Sequence, residues 1–196
     1  NITSGEGGCV VTNDNKILNH VRDARFLGIS KESQKRYKNK KGYNFSVKIQ
    51  GWRYHMSNIM ASIGLSQFSR RNKIFSKRQK LAKIYKNILL KENNIQLLEH
   101  DYNKVVPHIF VIRLKKFSKK KRDKMRNFLF KKNIETGIHW MPNHLLNFFK
   151  SKKNYRLKIT ESVYNEILTL PLHLDLNKKK ITYICNQVKK GIYLFK

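Results

Sequence analysis

The 196-residue chain carries 43 lysines and arginines against 12 aspartates and glutamates, a formal charge of +31, with 40% hydrophobic and 11% aromatic residues. That apolar content supports a packed core and excludes wholesale disorder, while no apolar run approaches the roughly 20 residues that span a bilayer. The charge admits a nucleic-acid or anionic-surface partner. However, lysines recur in nearly every segment, as in Lys38-Asn-Lys-Lys41, Lys119–Lys121, Lys152-Lys153 and Lys178–Lys180. With Asn and Ile also abundant throughout, this reads as the drift of an AT-rich coding sequence over solvated faces. Neither a specific nucleic-acid partner nor a membrane is therefore expected. Cys9 and Cys185 form no CxxC pair, which argues against a zinc site or disulfide framework and for a reducing, cytoplasmic setting. The start, Asn1-Ile-Thr-Ser-Gly5, has no Met and no signal-peptide pattern, and reads as the middle of a longer sequence.

In chain order, Gly5-Glu-Gly-Gly8 followed by Cys-Val-Val-Thr12 predicts a glycine turn feeding a short strand, with Cys9 an inert buried thiol. Ile17, Leu18, Val21 and Ala24 recur at helical spacing, and Gly28 supplies a stop. Residues 30–50 predict a long polar loop. Ser57 can cap a helix striped by Ile59, Ile63, Leu65 and Phe68, and with no Gly or Pro from Ser66 to Asn93 one long helix, or two nearly joined, should follow. Its polar middle suggests a domain boundary near residue 75. Beyond it, Ile95–Leu98, His108–Leu114 and Glu135–Trp140 predict strands; Ser118–Lys132, Thr160–Leu168 and Lys178–Tyr193 predict helices. This is the pattern of a small α+β domain.

Among candidate motifs, Gly5-Glu-Gly-Gly8 could cradle a phosphate through backbone N–H groups, yet it lacks a nucleotide loop's trailing Gly-Lys-Ser/Thr and alone reads as a turn. His139-Trp-Met-Pro-Asn-His144 sets two histidines about a proline. No Cys or carboxylate near by completes a metal set, so a pocket-lining loop is the better reading.

These blocks share a resemblance. Asn1-Ile-Thr-Ser-Gly-Glu-Gly-Gly-Cys-Val-Val-Thr-Asn-Asp14 resembles the stretch after the cofactor-bearing lysine in the DegT/DnrJ/StrS family of pyridoxal-phosphate-dependent nucleotide-sugar aminotransferases. Arg25-Phe-Leu-Gly-Ile-Ser30 is similar to that family's next helix end. Gly51-Trp-Arg-Tyr-His-Met-Ser-Asn-Ile-Met-Ala-Ser-Ile-Gly-Leu-Ser-Gln67 matches its most recognisable block, with Arg78 and Tyr85 at the usual offsets. His108–Arg113, Ile134–His139 with Pro142 and His144, and Leu170-Pro-Leu-His173 follow in order, so the resemblance covers essentially the whole chain.

The resemblance implies an α/β protein of the fold type I aminotransferase class. Residues 1–75 would be the end of the large cofactor-binding α/β domain, and 76–196 the small C-terminal α+β domain. It implies pyridoxal 5'-phosphate as cofactor, a homodimer with sites at the subunit interface, and amino transfer from glutamate to a keto group on a nucleotide-linked sugar for polysaccharide or lipopolysaccharide synthesis. His55 stands where relatives often place an Asn that reaches the partner subunit's cofactor phosphate, and Arg53 beside it could assist. Tyr54, His139, Trp140 and His144 fall where the family meets the sugar nucleotide. The lysine would directly precede Asn1, so no catalytic residue is expected in this stretch, which alone should be inactive, poorly stable and prone to associate. Two other readings stay open: a basic nucleic-acid-binding module, and a noncatalytic remnant of the enzyme.

Overall fold

The computed structural model describes residues 1–30, 46–149 and 156–196. It divides into two compact units, Ile2–Arg71 and Asn72–Lys196.

In the first unit, α1 spans Asn15–Ala24 and α2 spans Asn58–Ser69. Both begin where a short polar side chain can satisfy an orphan N–H: Asp14 accepts from Lys16 N at 2.7 Å, and Ser57 from Met60 N at 3.3 Å. Gly28, at φ +73°, turns the chain out of α1, as the stop signal suggested. The segment after Gly51 then runs antiparallel across that turn. Trp52 N donates to Ala24 O at 2.7 Å, Leu27 N to Trp52 O at 3.1 Å, and Tyr54 N to Arg25 O at 2.9 Å. A Cβ on Gly51 would sit 1.9 Å from Gly28 N, so only glycine permits this approach.

The expected strand at 9–12 does not form. Nothing among the described residues pairs with it, Val11 is 89% exposed, and Cys9 is exposed rather than buried. α2 likewise buries none of its residues, and Ile59, Ile63, Leu65 and Phe68 all face outward. The long loop expected at 30–50 lies mostly outside the described residues; its end is tied back by a Val47–Ile29 bridge.

The second unit contains the core. α3 (Arg71–Leu89) follows α2 after a break at Arg70, so of the two expected forms the structure takes the second, two helices nearly joined. β1 (Ile95–Leu97), β2 (Phe110–Leu114) and β3 (Ile167–Leu170) form an antiparallel sheet in that order. Its register sets Ile95 opposite Leu114 and Phe110 opposite Leu170. α4 (Lys119–Phe130), α5 (Lys158–Glu166) and α6 (Lys178–Phe195) complete it. β2 alternates as a half-buried strand should, with Phe110, Ile112 and Leu114 inside. They join Leu81, Tyr85 and Leu89 of α3, Met125 and Leu129 of α4, and Ile181 and Val188 of α6 in one cluster. Each such side chain contributes about 1.5–3 kcal/mol by leaving water. The Tyr85 and Phe110 rings stack at 4.7 Å.

α4 and α6 pack tightly at Gly191, where a Cβ would meet Met125 Sδ at 2.1 Å. Polar groups fasten the rim. Buried Arg122 donates to Tyr164 O and lies over the Tyr164 ring. Glu166 accepts from Arg113 Nε and, at 3.0 Å, from Lys116 N, so its burial is compensated.

Two sequence expectations fail here. Glu135–Trp140 is no strand: Gly137 alone bridges Thr169, and beyond it the His139 ring folds back toward Thr169. Thr160–Leu168 is not helical throughout, because the chain leaves α5 at Glu166 and enters β3, all four of whose residues are buried.

Candidate functional site

The candidate residues fall into two groups, one in each unit. In the first unit, Arg53, Tyr54 and His55 sit on the strand-like segment that crosses the end of α1, and all three are exposed. Phe26 bridges Arg53 through its backbone and meets the His55 ring edge-on at 5.2 Å. The Trp52 and Tyr54 rings lie parallel at 6.0 Å. The glycine turn comes close to the same segment: a Cβ on Gly7 would lie 2.4 Å from Met56 Cε. Within the turn, Gly5 N donates to Thr3 Oγ1 at 3.1 Å and Ser4 Oγ to Glu6 O at 3.2 Å. Thus Gly7 meets Met56, the residue that follows His55 on this segment. Turn and segment offer an exposed guanidinium, an imidazole and glycine-rich backbone, the donor types that bind phosphate.

In the second unit, His139 lines a cleft of about 1080 Å³ that also receives Glu135, Thr169, His173 and Tyr183. His139 Nδ1 lies 2.9 Å from Thr169 Oγ1, which leaves Nε2 for a ligand. Trp140 meets the His139 ring edge-on at 4.4 Å but is 75% exposed and does not line the cleft. His144 Nε2 pairs with Glu161 Oε1 at 3.2 Å, and the same oxygen accepts from Leu157 N. Arg78 and Tyr85 act from behind: Arg78 Nη1 donates to the carbonyls of His108 and Leu172, and Tyr85 Oη to that of Pro171. They fix the backbone leading to His173. Burial lowers the Arg78 pKa from its ordinary value, and its Nε has no partner among the described residues.

Thr169 and Glu161 escaped sequence reasoning: they meet their histidines across 30 and 17 positions, and neither carries a local motif. Phe26 stands in the Arg25–Ser30 block, but its contact with His55 was not read from it. No group of three or more His, Cys, Asp or Glu able to hold a metal occurs among the described residues.

The profile of the DegT/DnrJ/EryC1/StrS aminotransferase family matches residues 1–189. The chain belongs to this family. GDP-perosamine synthase of Escherichia coli O157:H7 is 30% identical over 96% of the chain and 48% of its own length. Among solved structures, Spr1654 of Streptococcus pneumoniae in its PMP-form superposes with a TM-score of 0.81 at 20% identity, over 96% of this chain and 48% of that one. The sugar aminotransferase CalS13 of Micromonospora echinospora gives 0.79 at 20% identity, over 97% and 49%. This family member therefore has the fold of the C-terminal half of a type I aminotransferase, as its sequence blocks implied. It spans about half the length of the curated relatives it matches. No helix among the described residues is long and apolar enough to cross a membrane.

Proposed function

We propose that this chain is the C-terminal half of a pyridoxal-phosphate-dependent enzyme that transfers an amino group, from glutamate, to a keto group on a nucleotide-linked sugar. The observation that carries this reading, beyond family membership, is the convergence of the Gly5–Gly8 turn with the segment bearing Arg53 and His55. Their chemistry fits the cofactor: a phosphate dianion needs charge-assisted donors, and both side chains stand exposed to offer them. Arg53 and His55 would hold that phosphate, and their exposure suits recognition across a homodimer contact. When bound, the cofactor supplies an electron sink for amino exchange, while the protein supplies orientation and electrostatics. The lysine that anchors it would belong to sequence preceding Asn1.

The other residues act on the sugar nucleotide. Trp140 presents a free indole face for stacking, and Tyr54 a phenol beside the Trp52 ring. His139, held at Nδ1 by Thr169, directs Nε2 to a substrate hydroxyl or phosphate. His144 is held by Glu161 in the same manner. Residues 1–75 would then serve the cofactor and 76–196 the substrate, in a cytoplasmic enzyme of polysaccharide or lipopolysaccharide synthesis.

The test uses the complete reading frame that contains this chain. With glutamate and a keto nucleotide sugar it should form 2-oxoglutarate and the amino sugar, both read by mass spectrometry. Arg53→Ala and His55→Ala should each weaken cofactor affinity about tenfold or more, since a hydrogen bond to a charged group is worth about 1.5–3 kcal/mol. Cofactor affinity untouched by both substitutions, with no amino sugar formed, would sink the reading.

A further inference from the structure

From Leu176 to Lys196 the sequence has no acidic side chain, although five lysines, Lys178 to Lys180, Lys189 and Lys190, lie on α6. α3 is likewise rich in lysine and free of carboxylates, whereas α5 carries Glu161 and Glu166. One face of α6 is buried through Ile181, Ile184, Cys185, Val188 and Ile192, and α4 closes on it at Gly191. Beside that contact the surface opens into a groove of about 600 Å³ lined by Phe128, Lys132, Tyr183, Lys189, Lys190 and Tyr193, among others, none of them acidic. Tyr193 is 89% exposed. Tyr183 is 45% exposed, and its hydroxyl donates to Lys132 O at 3.2 Å, which fixes the ring as a platform. Tyr183 also lines the His139 cleft, and the other groove residues named here do not.

We propose that the α4–α6 groove binds single-stranded nucleic acid without sequence preference. Lys132, Lys189 and Lys190 neutralise successive phosphates, and the Tyr193 and Tyr183 rings stack bases. Every base has a π-face, so such a surface tolerates any sequence. The partner is a strand rather than a lipid surface because Tyr183 is tethered by its hydroxyl and is not free to sink into an apolar layer. Unlike diffuse lysine drift, the groove combines flat rings and cations in one place.

Fluorescence anisotropy of the complete protein with a labelled oligothymidine of about 20 nucleotides, longer than one binding site, tests this. Three phosphates neutralised on a single strand predict a slope near −2 for log affinity against log salt, on about −0.7 per phosphate. Lys132→Glu, Lys189→Glu and Lys190→Glu together should flatten that slope by about 2 and weaken binding at least about 30-fold at low salt. Tyr193→Ala should weaken it about tenfold. A control with the same charge change on exposed, scattered lysines, Lys16→Glu, Lys48→Glu and Lys104→Glu, should lose less than about threefold. The corresponding Gln substitutions in the groove serve if the Glu set fails to fold, and should also lower the slope. Equal losses in groove and control variants would overturn the proposal, as would binding to phosphatidylglycerol vesicles without binding to the oligonucleotide.

Discussion

The two units use similar helices to different ends. α6 turns Ile181, Ile184, Val188 and Ile192 into a core that also takes side chains from three strands and two other helices. α2 has an equally apolar set in Ile59, Ile63, Leu65 and Phe68, and buries none of it. In the first unit, the buried apolar side chains among the described residues are Ala24 and Ile29. The lesson is about what a pattern specifies. Periodicity marks the face that must be covered, but the covering layer lies elsewhere in the chain or in another chain.

Core truncation should break this comparison most widely. Leu129→Ala or Ile112→Ala should cost about 2–5 kcal/mol of stability, because both side chains are fully enclosed. Ile63→Ala should stay within about 0.5 kcal/mol, as at any exposed site. Urea melts can separate the two responses, since Trp52 lies in the first unit and Trp140 in the second. Next in size is Glu166→Gln, which weakens the hold on Arg113 and Lys116 and should cost about 1–3 kcal/mol in the same melts.

Caps sharpen the contrast further. Ser118→Ala, which removes the acceptor for Lys121 N, should lower the main transition by about 1 kcal/mol. Ser57→Ala removes an equivalent acceptor but should only speed hydrogen exchange within α2, leaving that transition in place.

The thiols give the smallest and simplest test. Cys9 should react with a disulfide reagent in the native protein, and Cys185 only after unfolding. Burial pushes the Cys185 thiol up to about 12. The native state therefore keeps a proton that the unfolded chain gives up near the ordinary thiol value. Stability from this group is complete below about pH 8.5 and declines, by at most about 1.4 kcal/mol per pH unit, as pH rises toward the folded value.

Much of this was legible in the sequence. Ser57 and Ser118 announce helix starts through side chains that act within three residues, and the structure uses both as caps. Gly28 and β2 were readable for the same local reason. Failures came where a distant partner decides. Cys9 to Thr12 has strand composition, yet a strand exists only with a neighbour to bond. Ile167 and Leu168 looked like the end of a helix because they continue the apolar spacing of α5, and pairing with β2 makes them part of a strand. At the candidate site the histidines themselves stood out through the family's blocks. The groups that aim them did not: Thr169 and Glu161 are ordinary residues until folding brings them beside His139 and His144.

The contact between Met125 and Gly191 has a chemical consequence. A thioether gains one oxygen readily, and the sulfoxide is both larger and polar. Enclosed in the folded unit, Met125 is shielded from oxidants. A chain oxidised during synthesis, however, would bring an S=O group to a place with no room for even a methyl. Peroxide damage to this helix pair should therefore depend on when exposure occurs, sparing finished molecules and stopping nascent ones.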